Sequence, residues 1–182
     1  EDGFLELARL QSGRPNARGR LAQAQCFQGQ YLWQPTGDQE GALDRLAAAI
    51  ENYEIALEME PGLTRRRLEL QLAHEYSMKI HLLQDEIGAA VEHVLQWADL
   101  AKDPLHRRRA AHWLVQCAID AEASPSLDEE ESADVAGLLD ERAAEVVQSL
   151  LDDGATANAL RGDPLFEDLQ TRPVAAAPLS TD

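Results

Sequence analysis

Aromatic residues are scarce in this chain, at 5% of 182 residues, whereas hydrophobic residues as a whole make up 45%. The apolar content is therefore mostly alanine and leucine, which favour helix over strand. No stretch alternates apolar and polar residues as a half-buried strand requires. These absences exclude a β-rich fold and predict an all-α chain, long enough for a sizeable core in one or two domains.

Cysteine is also scarce, since Cys26 and Cys117 are the only two and no CxxC pair exists. Both lie in apolar helical patterns, which favours small buried core residues over a disulfide or a reactive thiol. No apolar run is long enough to span a membrane, and no signal peptide is visible, although the chain opens with Glu1 rather than Met. We therefore expect a cytoplasmic location, with any targeting segment upstream left open.

Positive charge is in the minority, because 16 Lys and Arg face 33 Asp and Glu, for a formal net charge of −17. A surface this acidic repels phosphate backbones and anionic lipid headgroups. Nucleic acid and membranes are therefore not expected as partners. A basic partner is favoured, and the alternative is a chain that is simply acidic.

Catalytic and metal motifs are missing as well. There is no Gly-rich phosphate loop, no HRD, no DFG and no Ser–His–Asp order. His74 and His81 lie seven residues apart rather than the four of HExxH, so one ion would need a third ligand from elsewhere. The acid run at residues 128–131 lacks the alternation of a calcium loop and is interpreted as a helix start. We predict no enzymatic activity, no cofactor and no metal.

The clearest pattern that is present covers residues 42–61, ALDRLAAAIENYEIALEMEP, which read as one amphipathic helix. Ala49, Tyr53, Ala56 and Pro61 follow one another at spacings of four, three and five. This pattern resembles the second helix of a tetratricopeptide repeat. Small residues let a neighbouring helix approach closely, the tyrosine fills the gap, and the proline ends the helix.

The rest of the chain alternates helical patterns with breaks. Gly29 is expected to allow close packing near Ala42, residues 35–41 to form a loop, and Gly154 to end a helix. Asn16 and Asp85 are predicted helix N-caps, as is Ser126 or Asp128. The predicted helices cover residues 2–11, 17–34, 42–61, 63–83, 86–102, 105–122 and 128–152.

Two groups of apolar residues are predicted to face helix partners. One is a stripe along the helix at residues 63–83, with members three or four residues apart: Leu68, Leu72, Tyr76, Ile80 and Leu83. The other repeats the Ala49 pattern as Ala90, Val94 and Trp97. Trp33, Trp97 and Trp113 are interpreted as filler between helices rather than as stacking platforms for a ligand.

These helices predict an all-α, tetratricopeptide-like array of antiparallel helix pairs, wound as a right-handed superhelix with a C-terminal capping segment. Residues 1–14 would be the N-terminal helix of a preceding repeat and residues 15–154 the repeat domain. Residues 155–173 would form the capping segment, and residues 174–182 a disordered tail.

The C-terminal half carries a further resemblance. Residues 110–122 read AAHWLVQCAIDAE, residues 141–154 read ERAAEVVQSLLDDG, and residues 159–173 read ALRGDPLFEDLQTRP. Together they resemble the tetratricopeptide-repeat tail of planctomycete-type bacterial serine/threonine protein kinases. Departures are Val174-Ala175 in place of Asp-Phe, and Gln170 in place of arginine. The resemblance implies a kinase domain upstream of Glu1 and a regulatory or docking role for this chain.

Two basic triplets, residues 65–67 and 107–109, stand at the starts of predicted first helices. One interpretation is a basic strip in a groove that clamps an acidic peptide or carboxylate. The other is solvated arginines that pair with neighbouring acids. By the resemblance, groove-facing positions are Arg67, His74 and Met78, and with Arg108 they are the candidate partner-binding residues. We expect a protein–protein interaction scaffold that binds a protein or peptide; the alternative is a structural spacer with no dedicated ligand.

Overall fold

The computed structural model describes residues 15–180, and every regular element in that range is helical. This confirms the all-α prediction, while the predicted helix at residues 2–11, in the predicted preceding repeat at residues 1–14, lies outside the described residues. The six long helices are α1 (Pro15–Tyr31), α2 (Gln39–Met59), α3 (Thr64–Leu83), α4 (Ile87–Leu100), α5 (Pro104–Ala123) and α6 (Glu129–Asp152).

Short elements complete the described chain. A π-helical turn, Leu32–Thr36, follows α1. After α6 come α7 (Ala157–Arg161), α8 (Pro173–Ala176) and the 3₁₀ turns Pro164–Phe166, Asp168–Thr171 and Ala177–Ser180. The chain divides into two compact units, residues 1–80 and 81–182, so that α3 begins in the first and ends in the second.

In the first unit, α1 packs along α2 through small residues. A Cβ atom built on Gly29 would lie 2.9 Å from Leu46 Cγ and 3.0 Å from the Ala42 carbonyl oxygen, so the predicted close approach is confirmed. The α2 face that meets α1 is buried, including the residues of the repeat-like pattern: Ala42, Leu46, Ala49, Tyr53 and Ala56.

The helix ends in this unit differ from the predicted ones. Asp38 caps α2 by accepting a 3.0 Å hydrogen bond from the Gly41 N–H. Residues 35–36 belong to the π-helical turn and residues 39–41 to α2, so the predicted loop at residues 35–41 is reduced to Gly37 and Asp38. The prediction that Asn16 is an N-cap is wrong, because it lies inside α1, which begins at Pro15. Proline suits a helix start, since its φ is already helical and it has no N–H to leave unpaired.

The buried face of α3 is not the predicted stripe. Leu68 and Leu72 are exposed, Leu83 is 66% exposed, and of the stripe only Ile80 is buried. The buried residues are largely polar: Arg66, Leu70, Gln71, Ala73, His74, Glu75, Ser77, Met78 and Ile80. Hydrophobic periodicity misplaced this face because ion pairs, such as that of Lys79 with Glu75 at 2.7 Å, make the burial of charged groups tolerable.

In the second unit, α5 packs against both α4 and α6. Ala90, Val94 and Trp97 are buried on α4, as their spacing predicts. Asp103 caps α5, accepting hydrogen bonds from the N–H groups of Leu105 and His106 at 3.1 Å. α6 begins with a capping box, in which Asp128 and Glu131 each accept a hydrogen bond from the other's backbone N–H.

Asp85 ends α3 instead of capping α4, which corrects the prediction. Its φ of 57° is left-handed, and its N–H bonds the Leu82 carbonyl at 3.1 Å. The N–H of Glu86 bonds the His81 carbonyl at 2.9 Å, which completes a Schellman motif. The Asp85 carboxylate accepts a 2.7 Å hydrogen bond from Ser124 Oγ, and the residue at the N-cap position of α4 is Glu86.

Gly154 forms the same motif after α6, as predicted. Its φ is 94°, and its N–H bonds the Leu151 carbonyl at 2.9 Å. The N–H of Ala155 bonds the Leu150 carbonyl at 3.0 Å. A left-handed residue is what this motif requires, and glycine adopts that conformation without strain.

The closing segment, residues 157–180, packs against α5 and α6. It buries five apolar side chains: Leu160, Phe166, Leu169, Ala175 and Leu179. The prediction of a disordered tail is wrong for residues 174–180, which form α8 and a 3₁₀ turn with Ala175 and Leu179 in the core. The local composition, rich in Ala and Pro, does not show that Ala175 and Leu179 pack against the rest of the second unit.

Candidate functional site

Two arginines of the first basic triplet belong to a polar network around Glu69. Arg65 Nε and Arg66 Nη1 lie 2.9 and 2.5 Å from the Glu69 carboxylate, and Gln23 Nε2 donates to it at 3.2 Å. Burial, followed by the charge of Glu69, raises the pKa of Tyr53. The network therefore joins residues of α1, α2 and α3 inside the first unit.

Arg66 also explains a glycine in α1. A Cβ atom on Gly19 would lie 2.2 Å from Arg66 Nε, so the guanidinium packs directly on the α1 backbone. The Arg66 residue is only 8% exposed. Its role is to hold α3 against α1.

The second triplet is likewise engaged within the second unit. Arg107 donates to the Ser149 carbonyl and hydroxyl at 3.3 and 2.6 Å, and lies 2.6 Å from the Asp153 carboxylate. Arg108 Nη1 lies 3.4 Å from Asp163. Arg109 lies 5.8 Å from the centre of the Trp97 ring. These contacts support the interpretation that the arginines stabilise the fold.

The four predicted partner-binding residues do not form an open strip. Arg67 donates to the Pro61 carbonyl at 3.1 Å, and Arg108 pairs with Asp163. His74 and Met78 are 1% and 0% exposed, so the expectation that they face an open groove is wrong. Their side of α3 belongs to its buried face.

Both cysteines are buried and free, which confirms that they are core residues. Burial, with a smaller contribution from Glu69, raises the pKa of Cys26 to about 11. Burial and then Asp120 raise the pKa of Cys117 to about 12. Since the thiolate is the reactive form, these raised pKa values disfavour nucleophilic reactivity of either thiol near neutral pH.

Two histidines stack in the second unit. The rings of His81 and His93 are 5.4 Å apart at 16°, and His81 Nδ1 lies 2.7 Å from the Glu86 carboxylate. Burial and the neighbouring His81 lower the pKa of His93 to about 4, so it is neutral near pH 7. No group of three metal-ligating side chains occurs anywhere in residues 15–180.

A cleft in the second unit is lined by arginines that are paired with acidic residues. Arg142 pairs with Asp99 and, at 2.5 Å, with Glu145. Arg107 lines the same cleft and pairs with Asp153. With its arginines neutralised by neighbouring acids, the cleft offers no net charge to attract an ion.

A different surface stands out in the first unit, and we call it the aromatic hollow. It is lined by Phe27, Gln28, Tyr31 and Leu32 along α1 and the following turn, and by Arg45 on α2. Phe27 and Tyr31 are 59% and 65% exposed. Arg45 has no ion-pair partner among the described residues, and it is the one charged residue of the described lining.

The residues of this hollow are not among the candidates predicted from the sequence, although the sequence carries a signal for them. Phe27 and Tyr31 lie four residues apart on α1, on the same face. Gly29, which packs against α2, lies on another face of α1. Once the contacts of α1 with α2 are known, Phe27 and Tyr31 can be recognised as two aromatic residues on a different face of α1 from Gly29.

No family model, curated protein or solved structure matches this chain. Within the described part of the chain, no helix is both long and apolar enough to cross a bilayer. Function is therefore inferred from the surfaces of the described residues, among them the aromatic hollow.

Proposed function

We propose that this chain is a protein–protein interaction module and that the aromatic hollow is its docking surface. The observation that carries the proposal is the exposure of Phe27 and Tyr31 beside Arg45, for which residues 15–180 supply no ion-pair partner. Aromatic residues and arginine are enriched among the residues that dominate binding energy at protein interfaces. A hollow on a packed helix pair also offers a preformed surface, which lowers the ordering cost of binding.

The lining defines the partner's chemistry. The rings of Phe27 and Tyr31 and the Leu32 side chain favour an apolar segment, and Arg45 favours one carboxylate next to it. The net charge of −17 disfavours a partner that is acidic throughout. The partner is therefore a protein that presents an apolar, amphipathic segment with a single local acid.

The wider context we propose is the regulatory or docking tail of a bacterial serine/threonine kinase in the cytoplasm. Its helix pairs would then belong to a tetratricopeptide-type right-handed superhelix, and catalysis to a domain upstream. Support comes from the resemblance of residues 159–173, whose Asp163 and Arg172 both make contacts that hold the closing segment. In this context the docked protein would be a substrate or regulator of the kinase.

A structural spacer remains the second candidate, and one observation favours it. Both basic triplets are used within the chain, as expected if the helices serve only to space or cap a longer array. The two functions differ at the aromatic hollow, which a spacer does not need.

The test is site-specific photo-cross-linking in the cells that produce the protein. A benzoyl-phenylalanine at Tyr31 should cross-link one identifiable protein, and Arg45→Glu should abolish that product. The matched control carries the same group at Met59, which is 44% exposed in the first unit and does not line the hollow. With the purified partner, Phe27→Ala should weaken binding about tenfold or more. If positions 31 and 59 give the same products, or none, the docking function is refuted and the spacer stands.

A further inference from the structure

We propose that the aromatic hollow binds its protein partner through an extended segment, which donates a main-chain N–H to Gln28 and pairs an acidic side chain with Arg45. The inference rests on the proposed docking function, because it specifies the conformation and the polar contacts of the docked segment. It excludes a helix as the docked element, which the apolar lining alone would accept equally well.

The first observation is a carbonyl oxygen without a donor. Among the described residues, Gln28 Oε1 is buried and accepts no hydrogen bond. Gln28 lines the hollow on α1, one turn before Leu32, and the residue as a whole is half-buried, so a segment in the hollow can reach its amide. Because a buried acceptor without a donor is destabilising, a ligand that brings an N–H to this oxygen binds more tightly.

The second observation is that two polar groups of the described lining have opposite requirements. Gln28 Oε1 requires a donor, whereas the Arg45 guanidinium carries only donors and binds a carboxylate. A phosphate or a simple carboxylate satisfies Arg45 alone. A peptide with one Asp or Glu satisfies both groups, since every residue other than proline carries a main-chain N–H.

The requirement for a free N–H favours an extended segment over a helix. Inside a helix each N–H is already bonded to the carbonyl four residues earlier, so only the first turn has free donors. That end of a helix carries a partial positive charge, which the charge of Arg45 opposes. In an extended segment the N–H groups are free, and an apolar and an acidic side chain two residues apart lie on the same side.

The size of the hollow agrees with a short extended segment. Its volume is about 490 Å³, within the range of roughly 300–1,000 Å³ for sites that bind small ligands. A helix is about 10–12 Å across with its side chains and binds along a groove. A few extended residues are therefore the better match to this hollow.

Peptide selection on the purified full chain supplies the probe. Short linear peptides displayed on phage are selected on the chain and depleted on its Arg45→Glu variant. We expect the surviving peptides to carry one Asp or Glu two residues from an apolar side chain. The best peptide is then synthesised with each main-chain N–H replaced in turn by an ester oxygen, and its affinity is measured by calorimetry.

One ester should identify the N–H that Gln28 accepts. It should weaken binding to the native chain about fivefold, as expected for one hydrogen bond, and have no effect on binding to the Gln28→Met variant. Methionine keeps the side-chain length and the helix propensity but lacks the amide oxygen, so the variant should keep its circular dichroism spectrum. Gln30→Met is the matched control: Gln30 lies on α1 outside the described lining, so the ester should keep its full effect.

Three results would overturn the inference. Peptides that become helical on binding would identify a helix as the docked element. An ester effect of the same size in the Gln28→Met variant would show that Gln28 is not the acceptor. A selection without any Arg45-dependent peptide would show that the hollow does not bind extended segments. In each case, photo-cross-linking at Tyr31 decides the docking function separately.

Discussion

The aromatic hollow and the closing segment both contain an aromatic residue and an arginine, but these residues are exposed in the hollow and buried or paired in the closing segment. At the hollow, Phe27 is 59% exposed and Arg45 has no ion-pair partner in the described chain. In the closing segment, Phe166 is fully buried and Arg172 is surrounded by acids. An aromatic residue and an arginine stabilise the fold in one region and remain available for recognition in the other, so residue type alone does not assign the role.

In the closing segment, each nitrogen of the Arg172 guanidinium has a carboxylate partner. Its Nε lies 3.0 Å from both Asp140 oxygens, its Nη2 lies 2.8 Å from Asp140, and its Nη1 lies 2.5 Å from Glu122. Hydrogen bonds to Asp140 and then to Glu122 raise the pKa of Arg172. The guanidinium thereby fastens the closing segment to α5 and α6.

The sharpest way to test the comparison is one substitution made in both regions. Phe166→Ala should lower the free energy of unfolding by about 3–5 kcal/mol, because it leaves a cavity in a packed core. Phe27→Ala should cost less than about 1 kcal/mol, since the ring is largely exposed. Urea unfolding followed by circular dichroism measures both. Equal losses would mean that the hollow is part of the core.

The arginine clamp supplies the next largest effect. Arg172→Met should cost about 3–5 kcal/mol, because Asp140 is left buried without its partner. Arg142→Met is the matched control: its partners Asp99 and Glu145 are exposed, so it should cost about 0–1 kcal/mol. Thermal unfolding of both variants measures the two losses of stability. An Arg172 variant as stable as the Arg142 variant would show that the clamp contributes nothing.

A smaller effect tests how tightly the helices beneath the hollow are packed. Gly29→Ala should destabilise the protein by about 1–3 kcal/mol, because the new Cβ meets the Ala42 carbonyl at 3.0 Å. Gly62→Ala is the control, since nothing lies within 4 Å of a Cβ there. Hydrogen exchange of α1 should rise only in the Gly29 variant. A neutral Gly29→Ala would show that α1 and α2 have room to move apart.

Several features of the fold were predictable because they depend on residues close together in the chain. The spacing of Ala49, Tyr53 and Ala56 identified a buried helix face, and the acids after Asp128 marked the start of α6. Gly154 was recognisable as a helix end, since glycine readily adopts the left-handed conformation.

Other features depend on residues far apart in the chain. The buried face of α3 was mispredicted because the charged groups of Arg66 and Glu75 can be buried only once their partners are in place. The predicted partner-binding residues depend on distant contacts in the same way. Arg108 meets Asp163, which is 55 residues away, so the sequence does not show whether this arginine is open to a ligand.

By itself, then, the sequence determined an acidic, all-helical chain and most of its helix positions, because helix formation and capping are governed by contacts within about four residues. Only the tertiary structure decided which arginines stabilise the fold, that residues 174–180 close a core, and that Phe27 and Tyr31 are left on the surface. These outcomes depend on which distant surfaces meet, and burial and ion pairing exist only where they do.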